Sequence, residues 1–522
     1  MASILAAHDF AVDFPEAVVA EADAIPDKPD MRRARGRADL RGERIFTIDG
    51  DSSKDFDDAV SITRLDEKIN DKPDQALYRL GVHIADVAAY VARGSALDTE
   101  ALRRGTSLYY ADRVAPMLPQ NLSNGVCSLN PHTDRFTLTV YMLIDGDGEV
   151  VSYEIFESVI NSCERMTYKN VYRILEERDP ELRERYSHIT GDLELMRGLA
   201  DILRKRRLAR GSLDFVTREA VITLDEKDKP IDVKAYEITF ANEIIEEFMI
   251  ACNETVAKHI SKANLPFIYR THGSPDPEKL AGFLEAAAGL GLYKPSVKKA
   301  AGPGRRIAPY DLQQILAASR ERGCDSLISL IMLRAMAKAA YTPENIGHFG
   351  LASECYCHFT SPIRRYPDLL IHRIIKAYIK RGGMSRAERE FYGGALGALC
   401  EHCSERERAA DETEREVESL KKAEYMKRFL GAEFTGVISG VTSFGMFVEL
   451  ENTVEGLILL SHLPDYYFYD SRLLTLTGEL SGDKYKIGDA VDVVLTRADP
   501  VTRQIDFSFA YKKAAPRAHR GR

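Results

Sequence analysis

Five carboxylates crowd ten consecutive residues, Asp49-Gly50-Asp51-Ser52-Ser53-Lys54-Asp55-Phe56-Asp57-Asp58. Like charges at this density repel, and burial would raise their pKa values until some were neutral. A bound cation is the usual remedy, and hard carboxylate oxygens suit Mg²⁺ or Mn²⁺. A solvated acidic loop and a structural Ca²⁺ loop are the plainer readings, although the spacing does not fit an EF-hand. A second stretch, His358 to Arg373, places Arg364 and Arg365 between the turn at Ser361-Pro362 and a helix opening near Pro367. Helix N-termini favour anions, and guanidinium forks clamp phosphate oxygens. Pairing with a neighbouring acid is the structural alternative for either arginine. Together the two stretches hold what phosphodiester cleavage requires. Two metals roughly 3.5–4 Å apart can activate water and stabilise the leaving oxygen while arginine balances phosphate charge.

Strands must frame the aspartates. Arg44 to Ile48 precedes them and Ala59 to Ile62 follows, both β-branched and apolar. Tyr78 to Val87 alternates in part, and Thr137–Ile144 with Val150–Ile160 flanks the turn Asp145-Gly146-Asp147-Gly148 as a β-hairpin. From Tyr168 to about Leu430 the apolar period becomes helical, over Leu193–Arg210, Glu246–Ala263, Asp276–Leu290, Leu327–Ala340 and Leu369–Arg381. A long charged helix from Arg386 to Phe429 reads mainly as a solvated face. Beyond Phe434, short strands with Gly-rich turns predict a small β-barrel.

At 522 residues the chain is too long for one core. Its 45% apolar and 29% charged residues describe an ordinary soluble protein. A net charge of −9 excludes a wholly basic surface, so nucleic acid would have to meet local basic patches. No apolar run reaches transmembrane length, and Met1 to Ala7 lacks the pattern of a secretory signal. A cytoplasmic protein without a membrane partner is expected. The eight cysteines do not suggest a disulfide framework. Cys355-Tyr356-Cys357-His358 and Cys400-Glu401-His402-Cys403 match no familiar zinc finger as a pair, so reduced, mostly buried thiols are expected. The expected division is a linker or remnant at 1–42, a catalytic domain at 43–430, a barrel at 431–511 and a disordered basic tail at 512–522.

Thr47 to Asp58 together with His358 to Arg373 resembles the signature of the RNase II / RNase R (RNB) family of exoribonucleases. Gly105 to Tyr110 leading to Pro116–Pro119, and Leu122 to Leu129, resemble two further family segments. The resemblance runs from about Asp39 through the barrel, and RNase R is the branch it suggests. It implies an α+β fold, with a mixed sheet and helices around an RNA channel, then a C-terminal OB fold (S1 motif). It implies processive hydrolysis of single-stranded RNA from the 3′ end to nucleoside 5′-monophosphates, with Mg²⁺ as cofactor, Mn²⁺ as substitute and RNA turnover as the role.

Carried over by residue, Asp49, Asp55, Asp57 and Asp58 match the active-site aspartates, while Asp51 lies outside the set. The resemblance implies Asp49 and Asp58 as direct metal ligands and Asp57 as helper of the second metal or the attacking water. It implies that Arg364 holds the reacting phosphate, with Arg365 beside it on the RNA. Tyr109 matches the aromatic that stacks at the 3′ end and sets the last short product, and Tyr110 takes its place if the register slips by one. Glu414 matches a glutamate of product release. In the barrel, Phe444, Phe447 and His462 match base-stacking positions, with Val448 and Leu450 expected in the core. One departure is that family members carry one or two cold-shock OB domains before the catalytic domain, whereas about forty residues precede it here. Weaker RNA grip and unwinding follow as expectations. A monomer is expected, with ribosomes or other RNA-decay factors as further partners. A non-catalytic RNA-binding protein and a metal-dependent endonuclease are the rivals. The first is disfavoured by the complete aspartate set, and the second would leave fragments of mixed length.

Overall fold

The computed structural model describes residues 1–65, 77–213, 218–292, 307–471 and 474–510. The expected tail at 512–522 lies outside them. Among the described residues, nine strands precede Tyr168: β1 (Ala38–Asp39), β2 (Phe46–Asp49), β3 (Asp58–Arg64), β4 (Tyr78–Ala85), β5 (Leu108–Tyr110), β6 (Arg113–Ala115), β7 (Asp134–Ile144), β8 (Val150–Asn161) and β9 (Glu164–Thr167). Seven form one mixed sheet in the order β1-β8-β7-β4-β3-β2-β9, while β5 and β6 make a separate hairpin. β4 pairs with β7 from Tyr78↔Ile144 to Ala85↔Thr137. Both strands are buried along most of their length, which explains why their alternation is only partial in sequence. The polar residues they bury satisfy one another. His83 Nε2 lies 3.0 Å from Ser61 Oγ, its Nδ1 lies 2.9 Å from Thr139 Oγ1, and Ser158 continues the chain.

Two long helices, Ser187–Ala209 and Phe240–Lys262, cover the sheet. Leu193, Met196 and Leu203 from the first, and Phe248, Cys252 and Val256 from the second, recur at helical spacing and enter the same core as Leu80, Val82 and Ile84. Helix Tyr366–Arg381 adds Leu369, Leu370, Ile371 and Ile374. The expected helix over Leu327–Ala340 is shorter, Asp325–Ala335, because Ala340–Thr342 leaves to pair with Tyr269–Thr271.

Two expectations are corrected. Residues 1–42 are no linker. They carry helices Ala2–Ala7 and Glu16–Asp23 and strand β1, which joins the main sheet beside β8. Leu5, Phe10, Val18, Ala22 and Leu40 are buried there, so a boundary at 42 would cut through one sheet. Elements this short bury their apolar groups only against a neighbour, and that neighbour is absent from local sequence. The second correction concerns the helix Arg386–Met426, whose capping box joins Ser385 to Glu388. It is not merely a solvated face. Tyr392, Leu396, Cys400 and Cys403 pack on the catalytic core, and Ala423 and Met426 pack into the core of the barrel.

The barrel is closed by Glu433–Val441, Gly445–Leu450, Glu455–Leu459, Gln504–Phe509 and Ala490–Asp499, in that spatial order. Val448 and Leu450 are in its core with Ile438, Met446 and Phe507. A small sheet, Tyr467–Asp470, Thr475–Gly478 and Lys484–Lys486, is inserted between its third and fourth strands along the chain. Six of the eight free cysteines are buried, Cys355, Cys357, Cys400 and Cys403 among them.

Candidate active site

Asp49 ends β2 and Asp58 begins β3, so the aspartate loop hangs from one end of the main sheet. Its backbone is held from outside. Arg165 of β9 donates to the carbonyls of Gly50 (2.9 Å) and Asp51 (2.8 Å). Ser128 Oγ accepts from Phe56 N at 3.0 Å and donates to Lys54 O at 2.8 Å. Ala85 N, at the end of β4, donates to Asp57 O at 2.9 Å.

The arginine turn meets this loop directly. Ile363 N donates to Asp57 Oδ1 at 2.8 Å, across 306 positions of sequence. Arg364 Nε lies 3.8 Å from Asp57 Oδ2, with its side chain 42% exposed. Asp368, wholly buried in the first turn of Tyr366–Arg381, accepts from Ser361 N (2.8 Å) and Arg365 Nη2 (2.7 Å). Arg365, expected as an RNA contact, instead makes an internal tie to Asp368 in this structure. Its guanidinium folds back onto the helix start and pairs with the Asp368 carboxylate.

A third segment lies against both. Ser107 N donates to Arg364 O at 2.9 Å, and Tyr366 N donates to Gly105 O at 3.0 Å. This leads into β5, where alternate residues face opposite ways. Leu108 and Tyr110 are buried and Tyr109 is 39% exposed, so Tyr109 is the one of the two tyrosines that faces the aspartate loop. Its hydroxyl donates to Asp55 Oδ2 at 2.6 Å. Burial and then the charge of Asp55 raise the hydroxyl pKa.

Burial outweighs the cations and the N–H donor that face the carboxylates of the aspartate loop. Burial pushes the Asp57 carboxyl well above the usual range, against the pull of Arg364 and the Ile363 N–H. Burial takes Asp58 up to about 6, opposed by Arg364 and Arg365. Asp49 rises to about 8 through burial, then through the charges of Asp58 and Asp55. Among the described residues, Asp49 Oδ2 and Asp57 Oδ2 are buried without a hydrogen-bond partner. Two orphaned hard oxygens within one carboxylate cluster fit a divalent cation in kind. Among the described residues, no three His, Cys, Asp or Glu side chains are already gathered in a metal-holding group.

Sequence reasoning missed Arg165 and Tyr168. Tyr168 opens the helix Tyr168–Leu175, and its hydroxyl pKa is raised by burial and by the charges of Asp58 and Asp49. Nothing in its local sequence marks it. Glu414 is solvent-accessible on Arg386–Met426, but partial desolvation by the surrounding protein and then the charges of Glu418, Asp411 and Glu219 push its carboxyl up to about 7. In the barrel, Phe444 is 54% exposed and its ring lies 6.4 Å from that of Phe447, nearly perpendicular. Leu460 N donates to Phe444 O at 3.0 Å, which brings the turn ending at His462 beside them. Phe447 also lines a cleft between barrel and long helix with Arg415, Lys422 and Arg503.

Residues 37–381 match the RNB domain model, and residues 427–509 match the S1 RNA binding domain model. Ribonuclease R 1 of Lactococcus lactis is 43% identical over 507 residues, 97% of this chain and 60% of that protein. Ribonuclease R of Thermotoga maritima is 43% identical over 513 residues, 97% of this chain and 69% of that protein. The chain thus spans between three-fifths and seven-tenths of these relatives' length. The structure of Mycoplasma genitalium RNase R in complex with ribose methylated single-stranded RNA matches with a TM-score of 0.86 at 27% identity, over 98% of this chain and 77% of that one. The aspartate loop, the arginine turn and the barrel therefore stand in the framework of these proteins, and the chain belongs to the RNB family.

Proposed function

We propose that this chain hydrolyses single-stranded RNA processively from the 3′ end to nucleoside 5′-monophosphates, with Mg²⁺ as its cofactor and Mn²⁺ as a substitute. The observation that carries the reading is the junction of Asp57 with Ile363 and Arg364, where a buried carboxylate with one oxygen free of hydrogen bonds faces a half-exposed guanidinium. Asp49, Asp55, Asp57 and Asp58 would hold the cations. Bound Mg²⁺ supplies activation of water and charge stabilisation at the leaving oxygen. Arg364 presents its guanidinium to the scissile phosphate from a turn locked by Asp368. Tyr109 stacks on the 3′-terminal base, with its hydroxyl fixed by Asp55. Phe444, Phe447 and His462 hold upstream bases without sequence preference. Glu414, titrating near neutrality, repels the departing phosphate when charged. The same reading places the protein in the cytoplasm as a monomer of RNA turnover, with ribosomes and other decay factors as candidate partners. Among the described residues, no helix is long and apolar enough to cross a membrane.

A non-catalytic RNA-binding protein has no use for the aspartates. Buried carboxylates without partners cost stability, and strongly perturbed groups of this kind cluster at functional sites. A timed digest of 5′-labelled RNA tests the proposal. The expected result is loss of full-length RNA to one short labelled end product, only when Mg²⁺ is present. A spread of fragment lengths would indicate an endonuclease. Intact RNA at all Mg²⁺ concentrations would indicate the binding protein.

A further inference from the structure

We propose that Arg406, with the N-terminal segment it clasps, is a brace that positions Tyr109 against the 3′ end of bound RNA. The inference rests on the reading of Tyr109 given above. Arg406 lies midway along the helix Arg386–Met426. Its guanidinium ties three backbone points together. Nε donates to Arg104 O (3.3 Å), Nη1 to His8 O (3.2 Å) and Nη2 to Asp9 O (3.1 Å). Its Cζ lies 4.3 Å from the centre of the Phe10 ring, a cation–π contact. A second clasp repeats the pattern. Arg104 donates to Ala11 O and Asp13 O, each at 2.6 Å, and lies over the ring of Phe14.

These clasps bear on the corner from which β5 departs. Gly105 has φ +70°, and a Cβ there would fall 2.7 Å from Arg406 Cβ. Only glycine permits both that backbone and that approach. From this corner, Gly105 O and Ser107 N bond to the arginine turn, while Leu108 and Tyr110 face the N-terminal segment. Leu108 and Tyr110 share one buried cluster with Leu5, Phe10, Ala410 and Val417. The inner face of β5 is thus set by the N-terminal segment and the long helix. The outer face carries Tyr109 to Asp55. A wall held this way keeps its place only while its backing does.

Lysine cannot reproduce the arrangement, because its single ammonium lacks the planar fork that meets three carbonyls at once. Arg406→Lys keeps the charge and most of the stem. Short RNA depends most on the terminal stack, whereas long RNA has other contacts. The expected result with an oligonucleotide of about five residues is a KM raised about tenfold with kcat little changed, the size of losing part of one stacked base. The final product should lengthen, while KM for RNA of about thirty residues stays within twofold. Phe10→Leu, which removes the ring and keeps apolar bulk, should shift both readouts in the same direction by less.

Tyr109→Ala is run beside them. Should Tyr109→Ala lengthen the product while Arg406→Lys and Phe10→Leu leave it unchanged, the brace is overturned and the reading of Tyr109 stands. Should Tyr109→Ala leave product length unchanged, both fall. Equal loss of rate on short and long RNA, with a lowered Tm, would also overturn the brace by showing a purely structural role.

Discussion

Asp57 makes two different contacts with its two oxygens, and that decides what its replacement does. Oδ1 accepts the Ile363 N–H, a bond that an asparagine oxygen can also accept. Oδ2 has no hydrogen-bond partner and faces Arg364 at 3.8 Å. Asp57→Asn should therefore keep the junction of loop and turn while removing a buried negative charge. Single-turnover hydrolysis should fall by more than tenfold, about 1.4 kcal/mol of barrier, with RNA affinity unchanged or slightly raised. A variant retaining over a tenth of the rate would remove Asp57 from the chemistry. Arg365 makes the opposite case. If it only ties the turn to Asp368, Arg365→Ala leaves a buried carboxylate unpaired and costs about 3–5 kcal/mol of stability. Thermal melting should report that loss, and melting unchanged with RNA affinity reduced would return Arg365 to the RNA. Asp57 and Arg364 were legible in sequence through the family resemblance of their two segments, since the residue types alone left a solvated loop and an internal ion pair open. The divergent fate of two adjacent arginines was not, since it depends on which one meets the helix start.

The hairpin of β5 and β6 shows the same limit for an element. Its sequence offers two adjacent tyrosines, and only strand alternation against a buried face separates them. Tyr109→Ala should lengthen the final product and spare long RNA, since stacking contributes on the order of 1–3 kcal/mol per base. Tyr109→Phe keeps the ring and loses only the bond to Asp55. Product length should then stay that of the parent, as read on a denaturing gel after exhaustive digestion. If the phenylalanine variant behaves like alanine, the hydroxyl matters and stacking is not the explanation. Long periodic elements such as Phe240–Lys262 were readable because one face repeats at helical spacing. The segment before β2 was not readable, because its helices are too short to show a period and bury residues against elements distant in sequence, among them Arg386–Met426 and Ala96–Arg104.

Across the whole molecule, buried imidazoles tie folding to pH. Burial lowers His83 and His348 to about 3 and His372 to about 4, and holds His358 well below the ordinary histidine range. In the unfolded chain each would titrate near 6.5. The folded pKa is depressed, so the unfolded chain binds more protons between the two values. The stability each contributes is complete above about 6.5 and is lost as pH falls toward the folded pKa. Asp49, Asp57 and Asp58 act the other way, since their folded pKa values are raised and their share is lost as pH rises. A difference measurement separates the two. His83 bridges Ser61 and Thr139 inside the sheet, far in sequence from the arginine turn. His83→Gln removes one titrating group and leaves the carboxylates unchanged. The variant should be less stable than the parent at pH 8 because the packed ring is lost. Between pH 6.5 and 5 the gap should close by up to about 1.4 kcal/mol per pH unit, the value of one proton. Denaturant melts of both proteins at pH 8, 6.5 and 5 provide the comparison. A gap that stays constant with pH would show that His83 takes up its proton in the folded state as readily as in the unfolded chain.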